Sequence, residues 1–334
     1  MPVSRSRIPV LYLVVPCYNE EEVIDKSAAV IKDKMDRLIK ERKIEPESKA
    51  MFVNDGSRDE TLKKLHALAK ADPFYAVLSF SGNYGHQSAI LAGMMEARHY
   101  ADAVVTIDAD LQQDIEALDR FLECYMAGCE VVYGVRNDRD TDGFFKRFTA
   151  TMYYKLMHFL GSGALTNSAD YRLMSAKALD ALSMYEESGL FLRGLIPTMG
   201  FESDIVYFDV KEREAGQSKY TFKKMMALAL DGITSFSIRP LRMIAGLGAI
   251  TVFAALVMII FSVIDWANGN AVQGYTTSLI VTLVLGGVIL ISLGVMGEYI
   301  GKTYMEVKHR PRYIIDSVVL KECRRKNDNG DDDR

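Results

Sequence analysis

Two aspartates stand two residues apart at the end of an apolar run. The run Val105 to Ile107 is typical of a buried strand, and Asp108, Asp110 and Gln112 follow it directly. Strand alternation would point both aspartates to the same side, where a bound cation would relieve their repulsion. Mg²⁺ and Mn²⁺ take oxygen ligands and keep positions open for substrate phosphates. The segment therefore predicts a divalent metal held by Asp108, Asp110 and Gln112, with a diphosphate bound to the metal.

Polar residues also follow two earlier apolar runs. Pro16, Tyr18 and Glu20 come after the first run, and Asp55 follows the second in the turn Asn-Asp-Gly-Ser. Helix capping explains part of this pattern, because Asp55 could cap the next helix and Glu20 favours a helix N-terminus. Capping and ligand binding both remain open for these two turns.

Short β-branched runs alternate with amphipathic stretches over the first 135 residues, which predicts an α/β domain with a mainly parallel sheet. Ligands of such sheets bind beyond the carboxyl ends of the strands, where the acidic turns lie. Strands are predicted at Val10–Val15, Met51–Val53, Ala76–Phe80, Ala103–Ile107 and Glu130–Tyr133, and helices near 20–40, 60–71, 86–100 and 114–127.

The C-terminal half contains two long apolar segments with basic outer flanks. They predict transmembrane helices at about 243–264 and 276–297, because each exceeds the roughly 18 residues that mark a candidate span. A pair of buried core helices is the alternative. The loop between them has no Lys or Arg, so the positive-inside rule predicts that both ends of the pair are cytoplasmic. The apolar run Ile8 to Val15 is too short for a signal peptide, which predicts a cytosolic N-terminal part.

Several other classes of site are not indicated by the sequence. It has no GxGxxG, no GxxxxGK[ST], no HExxH and no GxSxG motif. The four cysteines show no CxxC pairing and are predicted to be free thiols. The histidines are predicted to be ordinary surface or packing residues: His66, His86, His99, His158 and His309.

An ordered series of motifs resembles glycosyltransferase family 2 with the GT-A fold. More narrowly, it resembles the membrane-anchored polyprenyl-phosphate sugar transferases, such as bactoprenol glucosyltransferase and dolichyl-phosphate mannose synthase. The resemblance covers roughly residues 8–315 and implies sugar transfer from a nucleoside-diphosphate donor to a lipid phosphate. It rests on VVPCYNEEEVI, VNDGSRDET, NYGHQSAILAGM, IDADLQQD, YGVR, DYRLMS, REAGQSKYTF, DGITSFSIRPLR and GEYIGKTYMEVKHRPRYII.

The resemblance also implies roles for individual residues of the donor site. The nucleoside is held by Pro16, Tyr18, Glu20 and Asp55, of which Asp55 resembles the acid that reads the base. Asp108, Asp110 and Gln112 match the metal-binding motif. Arg213, Ser218 and Lys219 match a loop that closes over the donor diphosphate. Where the family often has two acids, this chain has Asn54-Asp55, which leaves the donor base less certain.

Cationic residues are expected around the acceptor phosphate. Arg136 follows the fifth strand at the same edge of the sheet, and we predict that it acts in catalysis with Asp110. Arg147 and Thr151 lie one helical turn apart and resemble the acceptor-phosphate contacts of the family. Asp170 resembles an acid at the acceptor site, and we predict that it orients Arg172 rather than acting as a base. Arg172 is counted among the acceptor-phosphate residues.

These patterns predict four parts of the chain. Residues 1–218 form a cytosolic GT-A domain, 219–241 an amphipathic helix on the membrane surface, 242–298 two transmembrane helices, and 299–334 a cytosolic segment with an acidic, disordered tail. The amphipathic stretch could instead pack in the core. The strand-like residues after Glu298 could add to a neighbouring copy, which would give a homo-oligomer.

The predicted function is inverting transfer of glucose from UDP-glucose to undecaprenyl phosphate at the cytosolic face of a bacterial inner membrane, with Mg²⁺ or Mn²⁺ and without nucleic acid. A mannose or aminoarabinose transferase is an alternative. A processive polysaccharide synthase is disfavoured, because the chain has no QxxRW motif and too few spans for a polymer channel. A catalytically silent membrane scaffold is the alternative from another class.

Overall fold

The computed structural model describes most of the chain: residues 4–137, 168–187, 192–209, 239–268 and 275–321. The contacts between residues divide the chain into two units. Of the described residues, the first unit contains 4–137, 168–187, 192–209 and 311–321, and the second contains 239–268 and 275–310.

The first unit alternates strands with helices along its N-terminal part, which confirms the predicted rhythm. Its elements there are β1 (Leu11–Cys17), α1 (Ile24–Lys40), β2 (Lys49–Asn54), α2 (Thr61–Ala71), β3 (Tyr75–Phe80), α3 (His86–Ala97), β4 (Ala103–Thr106), a 3-10 turn (Ile115–Ala117), α4 (Leu118–Met126) and β5 (Val131–Arg136). The later elements are β6 (Ser168–Ser175), α5 (Ala176–Leu182), α6 (Leu192–Thr198), β7 (Ser203–Phe208) and, near the C-terminus, β8 (Ile315–Val319).

All eight strands form one sheet in the order β7-β5-β6-β4-β1-β2-β3-β8. The pairs β1–β2, β1–β4, β2–β3 and β5–β7 are parallel, whereas β6 is antiparallel to β4 and β5 and β8 is antiparallel to β3. The sheet is therefore mixed, and the predicted parallel arrangement is found in its centre, from β4 through β1 and β2 to β3. The sequence did not indicate that β6 lies between β4 and β5.

The centre of the sheet is buried on both faces. Every residue of β1 is buried, as expected for an apolar parallel strand covered by helices on both sides. Helix α3 packs closely against the sheet at Gly93, where an added Cβ would lie 2.3 Å from a methyl carbon of Val14 and 2.8 Å from one of Val53. This contact fixes the position of α3, whose first residues point to the carboxyl edge of the strands.

The second unit contains two long helices, α7 (Arg239–Ala267) and α8 (Tyr275–Val307), which contact each other. They cover both predicted spans, so the prediction of two transmembrane helices is confirmed in part. Within the described residues, the stretch Val284–Val307 is long and apolar enough to cross a membrane. That both helices cross a membrane stays a prediction. Both helices expose large apolar side chains, among them Phe253, Ile260, Leu290 and Ile291.

The C-terminal strand joins the sheet of its own chain. β8 pairs with β3 from Val77–Val319 to Phe80–Ile315, and the Tyr313 ring stacks on Phe80 with centroids 5.1 Å apart. The Lys49 ammonium donates to the carbonyl of Lys321 at 2.6 Å. The partner of this segment in the structure is β3, and the expectation that it adds a strand to a neighbouring copy stays a prediction.

Candidate active site

The loop after β4 holds Asp108 in a fixed orientation. The sequence suggested that strand alternation would orient both aspartates. However, β4 ends at Thr106, so the alternation does not extend to them. Instead, the buried Gln113 side chain donates to Asp108 Oδ2 at 2.5 Å and accepts from the Asp108 backbone N–H at 2.7 Å. Ser27 of α1 donates to the carbonyl of Ala109 at 2.6 Å. One side chain of the loop itself and one of α1 thus anchor the loop that carries Asp108.

The second aspartate is exposed at the tip of the same loop. Asp110 Oδ1 accepts from the backbone N–H of Gln112 at 3.2 Å. Leu111 between them has a φ of 48°, in the left-handed region that non-glycine residues seldom adopt. This tight turn presents Asp110 and Gln112 on one loop with Asp108.

Asp108 is in an environment that suits a bound cation. Burial raises the pKa of Asp108; His86 and Arg136 act against this rise, and the charges of Asp170 and Asp110 add to it. A metal would neutralise this carboxylate. Within the described parts of the chain, no group of three or more His, Cys, Asp or Glu side chains is arranged to hold a metal. Two carboxylates completed by an amide oxygen and substrate phosphates match the habit of Mg²⁺ sites.

Asp170 lies beside Asp108 because β6 runs antiparallel to β4. The register pairs Thr106 with Arg172, so Asp170, two residues earlier in β6, lies beyond the end of β4 at the level of Asp108. The Thr106 hydroxyl donates to the Asp170 carbonyl. Burial would raise the pKa of Asp170, but hydrogen bonds and charges from Arg193 and Arg172 outweigh it and hold the pKa far below its ordinary value.

The start of α3 lies against both acids. The His86 Nε2 atom is 3.5 Å from Asp108 Oδ1 and 3.7 Å from Asp170 Oδ2. The neighbouring Gln87 donates to Asp170 Oδ2 at 3.0 Å. His86 was predicted to be an ordinary surface or packing histidine; the structure instead places it between two carboxylates of the candidate site.

Asp55 has a structural role in this arrangement. Its side chain is buried and accepts from the backbone N–H groups of Tyr84 at 2.6 Å and Gly85 at 2.9 Å. Burial raises the pKa of Asp55, and these two hydrogen bonds lower it, with a net rise. The carboxylate therefore fixes the loop that begins α3. That Asp55 also reads a nucleobase stays a prediction, since each of its oxygens already accepts from one backbone N–H.

The loops after β1 and β2 are tied to each other. The backbone N–H of Asn19 donates to Ser57 Oγ at 3.1 Å, and that of Glu20 donates to Thr61 Oγ1 at 2.9 Å. Pro16 is the penultimate residue of β1, and Tyr18, just beyond the strand, is 41% exposed. Pro16, Tyr18 and Glu20 thus lie at the carboxyl edge of the sheet, as predicted, one strand away from the loop of Asp108.

The two predicted arginines of β5 and β6 differ in their exposure to solvent. Arg136 is exposed at the end of β5, at the same edge of the sheet as Asp108, and its charge acts to lower the pKa of Asp108. Arg172 is only 1% exposed, and its Nη2 donates to Asp170 at 2.7 Å. The prediction that Arg172 contacts an acceptor phosphate is corrected, because its guanidinium lies inside the fold. Its predicted pairing with Asp170 is present.

Some predicted residues lie outside the described part of the chain: Arg147, Thr151, Arg213, Ser218 and Lys219, together with the amphipathic stretch 219–237.

Four side chains of the site, as the structure describes it, were not predicted: His86, Gln87, Gln113 and Arg193. Gln113 is adjacent to the predicted Gln112, and His86 and Gln87 follow a glycine at the start of a helix. The local sequence could therefore have indicated these three residues. It could not have indicated Arg193, because its contact with Asp170 depends on the fold.

Comparison with known proteins assigns both parts of the chain. The family model for Glycosyl transferase family 2 matches residues 12–183, which include β1 to β6 and the acids described above. The model described as the GtrB C-terminal hairpin matches residues 239–303, which include most of α7 and α8.

Three relatives match along almost the whole chain. An uncharacterised glycosyltransferase of Bacillus subtilis is 44% identical over 94% of this chain and 93% of its own. A prophage bactoprenol glucosyl transferase homologue of Escherichia coli is 41% identical over 92% and 98%, and the bactoprenol glucosyl transferase of Shigella phage SfV is 40% identical over 91% and 97%. The chain is therefore a glycosyltransferase of the GT-A fold and belongs to glycosyl transferase family 2.

Proposed function

We propose that this glycosyltransferase transfers a hexose from a nucleoside-diphosphate sugar to a polyprenyl phosphate, with UDP-glucose as donor and undecaprenyl phosphate as acceptor. The observation that carries the proposal is that Asp108 and Asp110, which follow β4, and Arg136, which ends β5, lie at the same carboxyl edge of the sheet, because β6 is antiparallel to both strands. The names of the relatives of about 40% identity support bactoprenol as the lipid and glucose as the sugar.

The donor side of the site is built from acids and cations. A divalent metal held by Asp108, Asp110 and Gln112 would neutralise the charge that develops on the leaving diphosphate. Gln113 keeps Asp108 in one orientation, so little reorganisation is needed when the donor binds. Pro16, Tyr18 and Glu20 are proposed to contact the nucleoside, and Arg213, Ser218 and Lys219 to contact the diphosphate.

The acceptor phosphate is itself the nucleophile. One of its oxygens attacks the anomeric carbon while the bond from that carbon to the diphosphate oxygen breaks, and this single displacement inverts the configuration. Because the phosphate is anionic near neutral pH, no strong base is required. Asp170 stays ionised between Arg172 and Arg193, which makes it a poor proton acceptor and supports an orienting role. Arg136, Arg147 and Thr151 are proposed to contact the acceptor.

The second unit is proposed to hold the enzyme at the membrane. The exposed apolar side chains of α7 and α8 would be costly in water and suit a lipid environment. We propose two membrane spans within 242–298, a catalytic domain within 1–218 and a surface helix at 219–241. In this arrangement both termini, including the 299–334 segment, are cytoplasmic.

The test is direct measurement of lipid-linked sugar. The detergent-purified full chain is incubated with undecaprenyl phosphate, Mg²⁺ or Mn²⁺ and labelled UDP- or GDP-sugars, and label is counted after extraction into organic solvent. We expect metal-dependent transfer from UDP-glucose. Because Asp110 is a proposed metal ligand, Asp110→Ala should lower the rate by at least about 100-fold.

A matched control is Asp33→Ala, which removes an exposed carboxylate from α1. This variant should transfer sugar at the rate of the unaltered enzyme. If no donor gives lipid-borne label while the protein remains folded and binds UDP, the lipid acceptor is refuted. Transfer from GDP-mannose instead of UDP-glucose would refute the donor assignment alone.

A further inference from the structure

Asp170 accepts hydrogen bonds from three side chains that come from three different elements. Arg193 of α6 binds it through two nitrogens, with Nε 3.0 Å from Oδ1 and Nη2 2.8 Å from Oδ2. Arg172 of β6 donates to Oδ1 at 2.7 Å, and Gln87 of α3 donates to Oδ2 at 3.0 Å. One carboxylate therefore holds two guanidinium groups.

The two arginines are not equivalent. Arg172 is 1% exposed and lies close to Asp170 in the same strand. Arg193 has a side chain that is 39% exposed, so solvent and solutes can reach it. Of the two guanidinium groups on Asp170, that of Arg193 is thus the accessible one.

The cluster of Asp170, Arg172 and Arg193 also lacks acceptors. Within the described residues, Arg172 Nε and Nη1 are buried and have no hydrogen-bond partner. Buried donors are normally paired, and an unpaired donor in a native structure points to a missing water or ion. Beside the carboxylate of Asp170, the cluster therefore contains two buried donors of Arg172 that are unpaired.

The location of Arg193 matches the reaction. A single imidazole, that of His86, separates Asp170 from Asp108, a proposed ligand of the metal. Both substrates of the proposed reaction bring phosphate groups to this place. A phosphate opposite Asp108 and Asp110 requires a cation of its own, and a guanidinium is the side chain best suited to phosphate oxygens.

We propose that Arg193 is a substrate-binding residue whose guanidinium contacts a phosphate group of one of the two substrates. Asp170 acts through Arg193 and is its positioning residue, because the two-point contact fixes the plane of the guanidinium. The inference rests on the proposed function for the identity of the phosphates. The phosphate belongs either to the lipid acceptor or to the nucleotide donor, and the experiment separates these two sources.

The test compares Arg193→Gln, Arg193→Lys and the control Arg120→Gln, which alters an exposed arginine of α4. Steady-state rates give KM for undecaprenyl phosphate and for UDP-glucose separately. A hydrogen bond to a charged group corresponds to roughly 10- to 100-fold in binding. We expect Arg193→Gln to raise KM for one substrate by about that factor, Arg193→Lys to restore part of it, and Arg120→Gln to change neither KM.

A binding measurement makes the test independent of turnover. Calorimetry compares farnesyl phosphate with farnesol, and separately UDP with uridine, for the unaltered chain and each variant. Selective loss of the preference for farnesyl phosphate supports the proposal and identifies the acceptor phosphate, whereas selective loss of the preference for UDP supports it and identifies the donor.

Two results would overturn the proposal. The first is an Arg193→Gln enzyme that keeps both KM values and both binding preferences, even if its kcat falls, because the residue would then support only the fold. The second is loss of binding of farnesol and uridine as well, which indicates general damage. Failure of the proposed function appears differently: the unaltered chain itself would transfer no sugar to lipid and show no preference for farnesyl phosphate.

Discussion

The environment of Asp108 disfavours the ionised form of its side chain. Burial and the neighbouring Asp170 and Asp110 make the ionised form less favourable in the folded protein than in the unfolded chain. Asp108→Asn keeps the shape of the side chain and an oxygen for Gln113, but it removes the charge. We expect the metal-free variant to melt about 2–4 °C higher, which corresponds to about 1 kcal/mol, and to lose sugar transfer.

The control for this measurement is a carboxylate whose pKa is lowered in the folded protein, whereas that of Asp108 is raised. Asp119 of α4 is partly buried, which raises its pKa, but hydrogen bonds from Lys34 and Lys43 outweigh this and lower it overall. Asp119→Asn should therefore lower the melting temperature. If the melting temperature falls in both variants, as measured by scanning calorimetry, the claim that the charge of Asp108 destabilises the fold is contradicted.

The pKa of Asp170 is lowered in the folded protein, whereas that of Asp108 is raised, and this predicts that the contribution of Asp170 to stability depends on pH. Its native pKa lies below the unfolded value of about 4, so its ionised form stabilises the fold above that pH, and this stabilisation is lost as pH falls through the native pKa. Asp170→Asn leaves Arg172 buried without its counter-charge, at a cost of about 3–5 kcal/mol.

We therefore expect a large difference in melting temperature between the unaltered protein and Asp170→Asn at pH 7. The difference should hold down to about pH 4 and shrink at lower pH, because the unfolded chain then binds a proton at this carboxylate while the native protein still keeps it ionised. A series of calorimetric scans from pH 7 to pH 3 measures it. A difference that stays constant down to pH 3, or grows there, would show that the ion pairs with Arg172 and Arg193 do not carry the stability of Asp170.

At the level of single residues, the sequence was informative where chemistry follows a strand directly. Asp108, Asp110 and Arg136 were found because the carboxyl ends of parallel strands meet at one edge. Arg193 could not be found, since its partner Asp170 lies 23 residues earlier and the contact depends on where α6 begins relative to β6. The burial of Arg172 was equally hidden, because the sequence alone did not show that β6 pairs on both sides.

At the level of elements, hydrophobic periodicity located the five N-terminal strands and the helices between them. It did not locate β6, because a strand's partner depends on contacts distant in sequence rather than on its own pattern. Antiparallel insertion of β6 between β4 and β5 is what brings Asp170 to Asp108. The position of Asp170 is therefore a property of the topology and not of any local motif.

Helix α3 offers a test at this scale. Its first residues, His86 and Gln87, reach Asp170, and its packing distance from the sheet is set by Gly93. Gly93→Ala would force a Cβ against side chains of Val14 and Val53, a type of overpacking that costs about 1–3 kcal/mol. We expect a lower melting temperature together with weaker transfer activity, because the shift of α3 moves both side chains.

The control is Gly82→Ala, since an added Cβ at Gly82 meets no atom within 4 Å. It should change stability little. A Gly93→Ala enzyme that melts lower but keeps full activity would show that the site tolerates displacement of α3, and that the packing of this helix does not position the acids for catalysis.

At the level of the whole molecule, the chain returns to its first sheet after the long helices. Residues that follow α8 form β8, which pairs with β3, and Lys321 is bonded to Lys49 across 272 residues of sequence. The sequence predicted a strand here but not its partner, because an edge strand offers the same backbone hydrogen bonds to any neighbour. Pairing within the chain covers one edge of the catalytic sheet.

The last prediction concerns this return of the chain. A chain that ends at Arg310 lacks β8 and the Tyr313 ring that stacks on Phe80, and it exposes the edge of β3. We expect a loss of at least about 2 kcal/mol, a fall in melting temperature of roughly 4–8 °C and a tendency to aggregate, measured by calorimetry and light scattering. The control ends at residue 326 and lacks only the acidic tail that is predicted to be disordered, so its melting temperature should not change. Equal stability of both shortened chains would mean that β8 contributes little to the catalytic sheet.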